Sequence, residues 1–304
     1  MYQSTHTGAQ VDEAVDKVLA SPISMMSNRN LLDNWYFVGG GSQQGGGQFP
    51  INQRGQTVYS AGDYGIDRWV MYSPSGNLQS DGLHFSANES IAQNLESSLI
   101  NALNGKTVTM SVLTSDGLFA GSIVYDKTVA QYFYAQGISL VKGVGGNGSN
   151  YAQVFTSSPT VVCAAKLEPG SNQTLAHQEN GVWVLNEIPN YAEELAKCQR
   201  YFWNSGFSST NPGIFCGITN ANGNGFQILV PTPVTMRAAT TTVNAAVGWV
   251  RGNGANIAGA SLGTSATTVL NGFVYGISID KTSGFTPMQT YWVALTSLTV
   301  SCDL

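Results

Sequence analysis

Short apolar runs separated by turn residues occupy most of this chain, and they limit its fold more than any other feature. Ser115-Asp116-Gly117 is one such turn, and the runs around it are rich in β-branched and aromatic residues, as antiparallel strands are. The runs cover residues 57–60, 68–72, 83–86, 107–113, 118–125, 138–141, 151–155, 161–167, 214–218, 226–230, 234–243, 246–251, 267–270, 273–279 and 291–304. This spacing predicts a mainly β protein, with an antiparallel jelly-roll-like sandwich and a smaller C-terminal β domain.

Two helices are predicted among the strands. The first, near residues 11–19, has one apolar face, and it ends before Pro22 because a residue that precedes proline avoids the helical region. A helix this short needs a partner, either the next domain or the same helix of sister chains. The second is predicted over residues 191–203. The expected domains are an oligomerisation helix (1–27), the sandwich (28–205) and a C-terminal β domain (206–304).

Charge is scarce: charged residues make up 10% of the chain, against roughly 25% in ordinary soluble domains. The surface must therefore be covered by neutral polar groups, which suit neutral sugars or neighbouring subunits and also occur in generic β-rich secreted or viral proteins. The net charge is −5 and Lys and Arg do not cluster, so nucleic-acid binding is not expected. No apolar run is long enough for membrane insertion and no signal peptide is visible.

Metal-binding and catalytic motifs are absent from the sequence. Its four cysteines form no CxxC pair and are expected to be buried free thiols, as in a protein assembled in a reducing cytoplasm. Its three histidines match no ligand pattern, so we expect no metal and no cofactor.

Glycoside cleavage would need a pair of carboxylates. Acidic pairs occur at Asp63 with Asp67, Asp12 with Asp16, and Glu193 with Glu194. Asp67 lies beside Arg68, where an ion pair is the simpler interpretation. Glu193 and Glu194 suit the first turn of a helix because of its dipole. We therefore expect no catalytic residues and no enzyme.

Aromatic residues are the remaining signal. Trp35, Tyr36 and Trp69 lie in strong strand patterns and are expected in the core. Exposed aromatic rings stack on the C–H faces of sugars. The candidate carbohydrate-binding residues are Trp203, at the end of the second helix, and Trp249 with Arg251, which are two residues apart and so share one strand face.

Several segments resemble phage tail and prophage fibre proteins. They are YAEELAKCQRYF (191–202) with the residues that lead into it, NLLDNWYF (30–37), FPINQRGQTVY (49–59), YGIDRWVMY (64–72), VTMR (234–237) and TVSCDL (299–304), together with the opening THTGAQVDEAVDKVL. The resemblance implies a carbohydrate-binding jelly roll assembled as a homotrimer. It further implies a virion protein, assembled in the bacterial cytoplasm, that joins other tail or neck proteins through its N-terminus and contacts a bacterial surface glycan.

The expected function is that of a phage tail fibre or receptor-binding protein that adheres multivalently to a host glycan. The alternative is a purely structural virion component of the collar, neck or baseplate, and a depolymerase is a further alternative. The C-terminal half is expected to carry the binding activity. Between Asn211 and Val300 its only charged residues are Arg237, Arg251, Asp280 and Lys281.

Overall fold

A computed structural model of the chain describes residues 28–40, 48–72, 76–129, 131–135, 138–144, 150–237, 242–252, 255–257, 261–270, 274–280 and 285–302. Over these residues the protein is mainly β, with several antiparallel sheets and two short helices, as the sequence predicts. The predicted N-terminal helix lies outside the described residues. Neither helix of the described residues is long and apolar enough to cross a membrane.

The chain forms two compact units: Met1–Gly41 with Gln56–Asn190, and Ser42–Gly55 with Tyr191–Leu304. The first unit contains a five-stranded sheet in the order β1-β4-β9-β8-β7, a second in the order β2-β3-β10-β5-β6, and the hairpin β11-β12. Its elements are β1 (Val70–Met71), β2 (Asn77–Gln79), β3 (Gly82–Phe85), β4 (Glu89–Asn94), α1 (Ser97–Leu103), β5 (Thr107–Thr114), β6 (Gly117–Val124), β7 (Gln131–Ala135), β8 (Ile138–Val144), β9 (Asn150–Thr156), β10 (Thr160–Pro169), β11 (Ala176–Glu179) and β12 (Val182–Leu185).

The β5–β6 hairpin shows how the turn residues act. Ser115 and Asp116 form a two-residue connection between the paired residues Thr114 and Gly117. The Asp116 backbone N–H donates to Thr114 Oγ1 at 3.1 Å. Gly117 has a φ of 135°, which residues with a side chain rarely adopt. The turn predicted from Ser115-Asp116-Gly117 is therefore confirmed.

Both large sheets of the first unit contribute to one core. Ile91 of β4 and Val112 of β5 belong to the same buried cluster. Trp35 and Trp69 are buried in this cluster, which confirms their predicted core positions, whereas Tyr36 packs against the cluster and is only partly buried. Arg68 of the IDRW segment forms an ion pair with Asp33, which is distant in the sequence: the Arg68 Nε atom lies 3.1 Å from Asp33 Oδ2.

The second unit has one sheet in the order β13-β20-β16-β17, with β14 also paired to β20, and another in the order β15-β19-β18. Side chains from β15, β16, β19 and β20 fill its main core. Its elements are α2 (Tyr191–Gln199), β13 (Phe202–Asn204), β14 (Gly213–Ile218), β15 (Gly225–Pro231), β16 (Thr242–Gly252), β17 (Ala255–Asn256), β18 (Ser261–Leu270), β19 (Val274–Asp280) and β20 (Thr290–Ser301).

The second helix ends earlier than predicted. It stops at Gln199, and Phe202–Asn204 is a strand, because Trp203 pairs with Val300 of β20 and the Cys302 N–H donates to the Tyr201 carbonyl. The predicted strand 234–243 is likewise wrong at its start, since residues 234–237 are irregular and β16 begins at Thr242.

The division between units differs from the predicted boundary at 205/206, since the compact units divide at 190/191. Contacts of the Ser42–Gly55 segment explain the difference. Gln53 Nε2 donates to the Phe202 carbonyl at 2.7 Å, and the Arg54 guanidinium lies 3.7 Å from the centre of the Phe202 ring. Phe202 thus belongs with the second unit.

Candidate functional site

The orientation of β16 side chains changes partway along the strand. Near its start, Val243, Ala245 and Val247 pack against the core of the second unit. The register with β20 shifts on either side of Val247, and beyond the shift Val250 is the buried residue. Such an irregularity moves alternate residues to the opposite face of a sheet. Trp249 and Arg251 therefore point away from the core.

Three strands build the outward surface around these two residues. Trp292 of β20 pairs with Cys216 of β14 on one side and with Arg251 on the other, while Ala294 pairs with Ile214 and with Trp249. The side chains of Trp292 and Ile214 are 51% and 55% exposed, although large apolar side chains are normally buried. We call this surface, made of Ile214, Cys216, Trp249, Arg251 and Trp292, the Trp249–Trp292 face.

Two contacts orient Arg251 on this face. Its guanidinium carbon lies 4.5 Å from the centre of the Trp249 indole ring, within the range of a cation–π interaction. Its Nε donates to Asn256 Oδ1 of β17 at 2.6 Å. The side chain is exposed, and its terminal Nη atoms make no hydrogen bond with any residue that the structure describes. They can therefore donate to a bound molecule.

Trp203 lies on the opposite face of the same sheet. It pairs with the buried residue Val300, and its partly buried ring packs against the core clusters of the second unit. The structure therefore brings together Trp249 and Arg251 but not Trp203. Because Phe202–Asn204 is a strand and not the end of a helix, the partner residue on β20 decides which way Trp203 points.

Three residues of the face, Ile214, Cys216 and Trp292, were not predicted from the sequence as site residues. Trp292 stands inside the apolar run TYWVAL, which is typical of core, and nothing in the run itself distinguishes the exposed Trp292 from the buried Tyr291. Cys216 is exposed, so the expectation of four buried thiols is wrong for this residue, and Cys163 is only partly buried. Cys216 is exposed because it shares the outer side of β14 with Ile214 and Ile218.

The face offers two indole rings and one oriented cation, and none of its five residues is acidic. This set can stack against apolar C–H surfaces and donate hydrogen bonds, but it has no general base or nucleophile–base pair. No group of three or more His, Cys, Asp or Glu side chains within the described ranges is arranged to hold a metal ion. Comparison of the chain with protein-family models, with curated proteins and with solved structures found no match.

Proposed function

We propose that this protein is a phage tail fibre or receptor-binding protein that adheres to bacterial surface glycans through the Trp249–Trp292 face. The observation that carries the proposal is the stacking of Arg251 on Trp249 beside the half-exposed indole of Trp292. An exposed patch of large apolar side chains often marks a binding surface, and an oriented arginine beside it supplies the hydrogen-bond donors that a sugar-binding surface needs.

In this role a sugar ring lies against an indole, which covers apolar surface of both partners. The Arg251 Nη atoms donate to the hydroxyl oxygens of the sugar, in a plane fixed by the contacts with Trp249 and Asn256. A contact of this size is weak by itself. Several copies that engage one cell surface together bind far more durably.

The assembly is proposed on the same basis. Residues 1–27 form the trimerisation helix and the attachment to other tail or neck proteins, and the first unit is a jelly-roll-like sandwich. Two five-stranded antiparallel sheets with a common core support the sandwich. The virion setting rests on the sequence resemblance to tail fibre proteins. The protein acts by adhesion and not by catalysis, and it needs no metal or cofactor.

An array of bacterial surface glycans probed with the labelled full-length oligomer tests this function. We expect binding to at least one glycan, lost in the double variant Trp249→Ala/Trp292→Ala and kept in Leu229→Ala. Leu229 is a matched control because it is 56% exposed on the other sheet of the same unit. Binding that persists in the double variant would overturn the site.

Two further results would identify the alternatives. A wild-type oligomer that binds no glycan, and whose double variant no longer assembles, would show that the face is a subunit contact of a structural virion component. Release of reducing sugar from a bound polysaccharide, unaffected by a chelator, would show a depolymerase and contradict the proposal.

A further inference from the structure

An open cleft of about 420 Å³ lies in the second unit where β14 turns into β15. Its volume falls in the range of about 300–1,000 Å³ that is usual for small-ligand sites. The cleft is lined by Ile218, Asn220, Gly225, Phe226, Gln227, Ser278 and Asp280.

The polar groups of the cleft come from one face of the β15–β19 pair. Gln227 pairs with Ser278, and Gly225 pairs with Asp280. Residues two apart on a strand share a face, so the amide, the hydroxyl and the carboxylate all point to the same side. This row of groups provides both donors and acceptors within one small surface.

These side chains have no partner among the described residues. Neither the Ser278 hydroxyl nor the Asp280 carboxylate forms a hydrogen bond or ion pair within the described part of the chain. Both residues line the open cleft, so a bound molecule can supply these hydrogen bonds. Asp280 is also the single acidic residue between Asn211 and Val300.

A missing side chain keeps the cleft open. A Cβ atom placed on Gly225 would lie 2.6 Å from Asp280 Oδ1 and 3.1 Å from the Ile279 carbonyl oxygen, so a larger residue would displace the carboxylate. The neighbouring turn is held by Asn220, whose Nδ2 donates to Asn224 Oδ1 at 2.6 Å and whose Oδ1 accepts from the Asn224 N–H at 3.3 Å.

We propose that this cleft is a sugar-binding subsite in which Asp280, Ser278 and Gln227 hydrogen-bond the hydroxyl groups of a neutral saccharide unit. A carboxylate accepts from hydroxyl donors, and such bonds to a charged group are stronger than neutral ones. None of the lining residues is cationic, so an acidic sugar is repelled by Asp280. The inference rests on the proposed function, from which it takes the class of ligand.

The position of the cleft links it to the Trp249–Trp292 face. Ile218 lines the cleft, and it follows Cys216 on the same exposed side of β14. Two residues along a strand span about 7 Å. One glycan chain can therefore place a unit in the cleft and another against Trp292.

The test is saturation-transfer NMR of the full-length oligomer with free glucose, galactose, mannose, N-acetylglucosamine and glucuronic acid. We expect one of the neutral sugars to bind and glucuronic acid not to bind. Asp280→Asn and Ser278→Ala should each weaken binding by about tenfold or more, and Gly225→Ala should abolish it. Leu229→Ala on the same strand is the control, and melting curves show which variants remain folded.

The outcomes separate this inference from the proposed function. If Asp280→Asn and Ser278→Ala bind the free sugar as well as wild type, or if wild type binds none of the neutral sugars, the subsite is wrong. The glycan array with Trp249→Ala/Trp292→Ala then still decides the role of the aromatic face. If the cleft variants lose binding of the free sugar while Trp249→Ala/Trp292→Ala keeps it and also still binds the glycan array, the subsite stands and the aromatic face is not the adhesive surface.

Discussion

Arg251 lies over the indole ring of Trp249, with its guanidinium carbon 4.5 Å from the ring centre. The two residues are separated by one position on β16, and the shift in register near Val247 turns both of them outward. A long, flexible side chain is thus held in place before any ligand arrives, which reduces the entropy lost on binding. Trp292, which pairs with Arg251, completes a surface that is polar at one point and apolar around it.

Replacing Trp292 by alanine should weaken glycan binding without weakening the fold. We expect affinity to fall by about tenfold, which corresponds to about 1.4 kcal/mol, because a stacking surface is lost. The free energy of unfolding should change by about 0.5 kcal/mol or less, since the side chain is 51% exposed. Calorimetric titration and urea unfolding measure the two quantities. A large loss of stability with unchanged affinity would contradict the assignment.

Trp203→Ala should have the opposite effect. Its ring packs against the core of the second unit, so we expect a loss of stability of about 3 kcal/mol. Glycan affinity of the folded protein should stay at the wild-type value, because Trp203 points to the other side of the sheet. Denaturant unfolding and titration below the melting temperature check this. Reduced affinity in a fully folded variant would show that Trp203 contributes to glycan binding.

Cys216 should be the first thiol to react in the native protein. It is exposed, whereas Cys198 and Cys302 are buried. Burial raises the pKa of the partly buried Cys163 thiol, and the charge of Asp81 acts in the same direction. A smaller fraction of Cys163 is therefore thiolate near pH 8. Its rate of labelling by maleimide should keep rising as the pH passes the ordinary thiol pKa of about 8.5.

Mass spectrometry after brief maleimide treatment measures the order of these reactions. We expect one rapid label, absent in Cys216→Ser, and a slower label on Cys163 as the pH is raised. If a ligand occupies the Trp249–Trp292 face, it should slow the labelling of Cys216. Rapid labelling of Cys198 in the folded protein would show that α2 does not bury it.

Lys166→Ala should strongly destabilise the first unit. Lys166 is fully buried, with its Nζ 3.1 Å from Glu187 Oε1 and 4.0 Å from Glu168 Oε2. Removing one partner of a buried ion pair leaves an uncompensated charge and costs about 3–5 kcal/mol. Lys127→Ala, at an exposed site, is the control and should cost about 0.5 kcal/mol or less. Equal unfolding midpoints for the two variants would contradict this.

We expect the full-length chain to be a trimer at micromolar concentration, because its surface is poor in charge and the short helix predicted near residues 11–19 has one apolar face that sister chains would cover. Light scattering should give three copies. Deleting residues 1–27 should reduce adhesion to a glycan-coated surface more than binding of a free monosaccharide, because only the former depends on several sites acting together. A wild-type monomer would exclude the proposed assembly.

Local chemistry explains what could be read from the sequence alone. Alternating apolar residues and turn signals predicted a mainly β protein, and the β5–β6 turn and the core positions of Trp35 and Trp69 follow from the same patterns. Strand β4 (ESIAQN) was not predicted because most of its residues are polar. Several of them are nevertheless buried, with hydrogen-bond partners elsewhere in the chain. Gln93, for example, donates to the backbone carbonyl of Asp33 at 2.7 Å.

The site depended on tertiary structure. The sequence placed Trp249 and Arg251 on one strand face, since their spacing is a local property. Which face is exposed is decided by the register with β20. Trp203 points inward because it pairs with Val300 of that strand, whereas Trp292, which lies on β20 itself, points outward beside Arg251. A single shift in register reverses the side of every following residue, and the strand that imposes it lies far away in the sequence.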